Sequence, residues 1–232
     1  MVDHRKFLNI VAAAGTALGV LAGGAAAAST ITVGFSGVLI DMPAELAGTF
    51  AVGDPFSGSY TYQSDAPDVG TPQIGLYEWD SFEITIGSFS IAQGPASLNN
   101  IWIFNGVNSG VTFDIYRVDV GLPISSTPAT VDGYTPTKLE LQMSDLTGDA
   151  FPGTAMPLPL LAPSFDDFAF LQSLTLFFRI DVNDPSTQVL MFGQLDDPLT
   201  TTVTDVPEPA TLALVGVGLA GLYVARRRRR IA

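Results

Sequence analysis

The chain has 232 residues and no cysteine. That excludes a disulfide framework and thiolate metal sites. Its single histidine, His4, lies within the first 28 residues, which read as a leader. Beyond them there is neither imidazole nor thiol. A Ser-His-Asp triad, a Cys-His pair and a His-ligated zinc site are therefore excluded from the remainder. Positive charge is almost as scarce. Of ten basic residues, two are Arg5 and Lys6 and five form a block at 226–230, leaving only Arg117, Lys138 and Arg179 between residues 29 and 205. The same stretch holds 21 of the 23 acidic residues, a formal charge of −18. A surface of this sign repels nucleic acid and anionic lipid, and it has no run of cations to displace counterions from a phosphate backbone. Nucleic acid is thus not a partner. The acidity itself reads as a solvated surface ahead of any acidic site.

What is present is clearest at the two ends. Arg5 and Lys6 precede an apolar run at 7–21, and Ala26-Ala27-Ala28 supplies a small-residue cleavage site before Ser29. This is the layout of a signal peptide over residues 1–28, with cleavage between Ala28 and Ser29; an uncleaved N-terminal anchor is the alternative. At the other end, residues 210–225 carry no charged side chain. A helix of that length spans roughly 24 Å, short of a hydrocarbon core of about 30 Å. Tyr223 near one end suits the interface, and arginine side chains snorkel. Five consecutive arginines, Arg226, Arg227, Arg228, Arg229 and Arg230, follow directly. Each costs about 2.5–3.5 kcal/mol at a helix centre, so the block stops translocation and stays cytoplasmic. The alternative is a buried core helix with a basic tail. The expectation is a single transmembrane helix at 210–225, with the body on the far side of the inner membrane.

Just before that helix stand Pro207, Glu208 and Pro209. The two prolines lack N–H groups and push their neighbours toward extended backbone, leaving an exposed non-helical segment that a membrane-embedded protease could read. Pro-Glu-Pro, a short apolar helix and a terminal arginine cluster, in that order over residues 206–232, closely resemble the PEP-CTERM sorting signal of Gram-negative bacteria. The resemblance implies recognition and cleavage by an exosortase, a membrane cysteine transpeptidase. It also implies a link to exopolysaccharide and biofilm production, with a transient inner-membrane stage, a periplasmic body, and then the cell surface or extracellular matrix.

Between the two signals the texture is all-β. Runs rich in β-branched and aromatic residues alternate with Gly, Pro, Asn and Asp at short spacing. Strands are expected at 30–40, 56–62, 82–86, 88–92 after a kink at Gly87, 101–104, 111–120, 138–143, 171–180 and 187–195. In 111–120 the apolar parity changes near Tyr116-Arg117, which predicts a bulge or a crossing between sheets. Four prolines between Asp145 and Phe170 exclude a central strand there and predict a long loop, with one helical turn at 165–168. Residues 196–205 read as a polar linker. Nine or ten strands in 29–195 predict a β-sandwich, jelly-roll-like. Two tripeptides echo one another, Phe35-Ser36-Gly37 and Phe56-Ser57-Gly58. Three residues twice is too little to define a repeat. The longer segment 50–62 resembles one common near the N-terminus of PEP-CTERM proteins; physically it is a turn feeding a strand.

Carboxylates are the only catalytic material: Glu78 with Asp80, Asp166-Asp167 and Asp196-Asp197. Such pairs hydrolyse glycosides when about 5–9.5 Å apart. With so many acidic residues, chance pairs are expected, so a carboxylate-dependent glycosidase stands behind a non-enzymatic role. No cofactor is expected. Calcium has two candidate loops, Asp181-Val182-Asn183-Asp184 and Asp65-Ala66-Pro67-Asp68; neither has EF-hand spacing and both are good turn sequences. Tyr77, Trp79 and Trp102 are candidates for a sugar-binding platform, against core packing, which fits Trp102 best. The functional expectation is an exported structural or adhesive protein of an exopolysaccharide matrix. The alternative is a carbohydrate-binding module of that matrix.

Overall fold

Alternation of more and less buried side chains organises most strands from Ser29 onward. The computed structural model describes residues 28–71, 74–93, 99–106, 113–151, 165–196 and 199–205. Ser29–Thr204 forms one compact unit. Strand β1 (Ser29–Asp41) is the longest at 13 residues and buries Ile31, Val33, Phe35 and Leu39. It is followed by β2 (Pro55–Gln63), β3 (Ile74–Glu78), β4 (Ser81–Ile86), β5 (Phe89–Gln93) and β6 (Asn100–Phe104). Then come β7 (Asp114–Val120), β8 (Ser126–Thr127), β9 (Thr135–Asp145), β10 (Leu171–Arg179), β11 (Gln188–Leu195) and β12 (Thr200–Asp205). A 3₁₀ turn lies at Phe165–Phe168, where the helical turn was expected.

The hydrogen-bond ladder joins all these strands into one sheet, in the order β3-β6-β7-β9-β10-β11-β1-β2-β4-β5-β8, with β12 paired to β1 off that path. Neighbours along the path are antiparallel. The sheet curls, because strands five steps apart in that order touch through their inner faces. Tyr60 of β2 and Tyr116 of β7 share a hydrogen bond of 2.7 Å between hydroxyls. Phe89 of β5 meets Phe178 of β10 at 5.9 Å, and Phe50 packs edge-on to Phe89 at 5.5 Å. The all-β expectation therefore holds. In place of the two separate sheets of a jelly roll, one continuous antiparallel sheet closes over its own inner face. Alternation tells which side of a strand is buried, but a curled sheet and a sandwich bury the same sides.

Other differences have local causes. β7 shows no change of face: Asp114, Tyr116, Val118 and Val120 all point inward. The first inward position is a carboxylate, Asp114, which accepts from Gly106 N at 2.8 Å and Phe151 N at 2.9 Å. A buried acid with two backbone donors replaces the apolar residue the pattern demanded. The ladder shifts register elsewhere, between Leu39 and Asp41 and between Phe177 and Phe178. Within the expected linker, Thr200–Asp205 forms β12. Its run Thr-Thr-Thr-Val-Thr is β-branched, and that preference for a pleated surface outweighs its polarity.

The two echoed tripeptides are cross-strand partners. Phe35 faces Gly58, Ser36 faces Ser57, and Gly37 faces Phe56 in the β1–β2 register. A Cβ at Gly37 would collide with the Phe56 ring and the Gln194 carbonyl; one at Gly58 would collide with the Phe35 ring and the Glu83 carbonyl. Each glycine leaves the space its partner's ring occupies. The turn that feeds β2 uses Gly53 at φ +93°, a left-handed conformation that suits glycine. Its N–H bonds Leu39 O at 2.8 Å, and Asp54 accepts from Ala51 N at 2.8 Å.

Candidate functional site

The predicted signals divide between described and undescribed residues. Pro207, Glu208, Pro209, the helix at 210–225, Arg226 to Arg230 and residues 1–27 of the leader lie outside the described residues. Among the described residues, no helix is long and apolar enough to cross a membrane. Ser29 opens β1: its N–H donates to Ser64 Oγ at 2.9 Å, and its carbonyl accepts from Ser64 N at 2.9 Å. Ala28, half-buried, immediately precedes the strand.

The carboxylate candidates lie in different local settings. Asp80 accepts from Gln63 Nε2, while Glu78 is exposed at the end of β3 opposite Asn100. Asp166 and Asp167 are exposed on the 3₁₀ turn, and Asp196 donates its N–H to Ser36 O at 2.8 Å. Asp197 lies outside the described residues. In the first calcium candidate, Asp181 accepts from Asn183 N and Asp184 caps a 3₁₀ turn through Ser186 N, both at 2.9 Å. In the second, Asp68 accepts from Gly70 N, Leu76 N and the Tyr77 hydroxyl. Both loops use their carboxylates as turn braces.

The aromatic candidates separate. Trp79 is buried and donates from Nε1 to Asp119 O at 3.1 Å; Tyr77 is buried as well. Trp102 is half-buried on the outer face of β6, so the expectation of core packing is reversed between the two tryptophans. The neighbours of Trp102 in the chain, Ile101 and Ile103, are the inward residues. Period-two geometry puts Trp102 on the other side.

Around Trp102 the outer faces of β6, β7, β9, β10 and β11 assemble a site that sequence reasoning missed. Register pairs Trp102 with Arg117, Asp119 with Glu140, Phe177 with Lys138, and Arg179 with Gln188. The Arg117 guanidinium lies 5.5 Å from the Trp102 ring centre and 5.6 Å from that of Phe104, while the Lys138 ammonium lies 5.5 Å from that of Phe177. Asp119 sits beneath these cations. Arg117 Nε is 3.0 Å from its Oδ1, an ion-pair contact without hydrogen-bond geometry, and Lys138 Nζ is 3.7 Å from its Oδ2. Lys138 also contacts Glu140. Burial pushes the Asp119 carboxyl above the usual range, against the pull of Arg117 and Lys138. Arg179 is held differently, by Val182 O at 3.0 Å and Gln188 Oε1 at 2.9 Å. An open depression of about 440 Å³ runs between Trp102, Lys138, Phe177 and Arg179. A second, separate depression of about 410 Å³ lies on the same face, lined by Asp41, Glu140, Gln142 and Phe192 and by no cation. The three basic residues of 29–205, far apart in sequence, thus share one outer face.

Fold and sequence together define a class: an all-β body whose last strand runs straight into a membrane-sorting tail. The family described as PEP-CTERM protein-sorting motif matches residues 205–230, and the chain carries that motif. The motif marks an exported protein that passes by way of the membrane and is processed by an exosortase membrane enzyme. No curated protein and no solved structure matches the chain.

Proposed function

We propose that this is a structural or adhesive component of an extracellular polysaccharide matrix. An inner-membrane exosortase delivers it to the cell surface or matrix after a stage in which the helix at 210–225 anchors a periplasmic body. One observation carries the reading: the sorting motif begins at residue 205, the final residue of β12, so the exported sheet and its address are adjacent in the chain. The role is non-catalytic in this reading. A carbohydrate-binding role within the same matrix is the second reading, favoured by the aromatic and cationic outer face around Trp102. Deleting residues 210–230 should release the body in soluble form from fractionated cells. Membrane association unchanged by the deletion would overturn the anchor. Processing is read from gel mobility, where the wild-type chain should lose its tail only in cells that contain an exosortase.

A further inference from the structure

We propose that the outer face between Trp102, Lys138, Phe177 and Arg179 binds a polysaccharide that carries carboxylate groups, such as a chain of uronate residues. The inference deepens the matrix reading by giving the body a ligand class and a site. Three observations support it. The first is charge. Every cation of residues 29–205 lies on this face, whereas the stretch as a whole carries 21 acidic side chains. An anionic chain meets repulsion elsewhere and attraction here, so charge fixes both the place and the orientation of contact.

The second is the state of Arg179. Arg117 and Lys138 are partly neutralised by Asp119 and Glu140. Among the described residues, no carboxylate lies within ion-pair distance of Arg179; its partners are a carbonyl and an amide oxygen. Those neutral acceptors hold the guanidinium in place with no carboxylate in contact, Asp184 acting on it only from farther off. A positioned guanidinium is the side chain best matched to a carboxylate, through two parallel N–H···O bonds.

The third is shape. The depression is open and itself reaches across β6, β9, β10 and the start of β11, as a chain requires, rather than closing round a small molecule. Phe177 and Trp102 line the depression with apolar surface for the C–H side of a sugar, next to the cations that lie over their rings, and Asn100 and Gln188 line it with amide groups for the hydroxyls. A sugar bearing a carboxylate uses both the rings and the cation.

The test uses the full chain in non-ionic detergent, with Arg226 to Arg230 changed to Gln so that the tail cannot hold the polyanion. Binding is measured on immobilised polygalacturonate, with dextran as the neutral probe. The tail-neutral chain should bind polygalacturonate and not dextran, and added salt should weaken binding. Arg179→Gln should lower affinity about tenfold, with an unchanged far-ultraviolet spectrum. Arg179→Lys should fall between the two, and Trp102→Ala should reproduce the loss. Binding that survives Arg179→Gln, disappears with the tail change alone, or is equal on dextran would sink the proposal. So would a change in oligomer size, rather than glycan affinity, in the Arg179→Gln chain, since the face would then serve a second copy. Export and processing are read separately from fractionation and gel mobility, so failure of glycan binding and failure of the sorting reading are distinguishable.

Discussion

Buried phenols give the interior a chemical signature at the level of single residues. Tyr60 and Tyr116 are wholly buried, and burial pushes both phenols well above the ordinary tyrosine range; Tyr62 is raised by the same cause. A group whose pKa is higher in the folded state contributes stability that is fully present below the unfolded value of about 10. That contribution declines as pH rises past it, by about 1.4 kcal/mol per pH unit for each group, until the folded pKa is reached. The urea midpoint should therefore fall steeply above about pH 10. Spectrophotometric titration should show these tyrosines ionising together with unfolding, whereas smooth ionisation of Tyr60, Tyr62 and Tyr116 in the folded protein would contradict the burial. The sequence made Tyr60 and Tyr62 legible as strand residues, since they recur at period two. Their partnership with Tyr116 was not legible, because it depends on the sheet curling until β2 meets β7. The same limit hid the outer face: no local pattern links Arg117, Lys138 and Arg179, and only cross-strand register brings them together.

Among the elements, the pairing of β1 with β2 is the most specific. Phe35 covers Gly58 and Phe56 covers Gly37, so each strand supplies a ring and a space. A methyl group at either glycine meets a backbone carbonyl, which cannot swing away as a side-chain tip can. Gly37→Ala and Gly58→Ala should each cost about 1–3 kcal/mol by overpacking, read from chemical unfolding. Gly87→Ala provides the contrast: its φ is +57°, but its missing Cβ faces open space. Its penalty should be conformational and about 1 kcal/mol. Equal stability of Gly37→Ala and wild type would refute the interlock. Strand positions were readable wherever alternation was clean, as in β4, where Phe82, Ile84 and Ile86 point inward. β3, β8 and β12 were missed, β3 because Gly75 and Glu78 interrupt its apolar run, β8 because two residues show no periodicity, and β12 because five threonines and aspartates look like a linker. Asp114 misled in the opposite direction, since a buried acid satisfied by two amide donors breaks the pattern without breaking the strand.

The whole molecule is governed by its excess of negative charge. Residues 29–205 hold 21 carboxylates and three cations, so folding concentrates like charges that the unfolded chain keeps apart. Raising sodium chloride from about 0.01 M to about 1 M shortens the screening length from about 30 Å to about 3 Å. The thermal midpoint should rise over that range, and a fall would mean that the Arg117–Asp119–Lys138 cluster outweighs the general repulsion. The sorting tail was legible because it is a linear signal, read in order along the chain. The cationic outer face was not, because it exists only across strands. One feature of the sheet also bears on how the body carries force. Any load arriving through its C-terminal end enters at β12 and passes to β1, the longest strand and the one bonded to β2, β11 and β12. From β1 the tension divides to both sides of the sheet. The segment next to the sorting motif is thus the handle of the molecule, and it grips the strand with the most partners to share the strain.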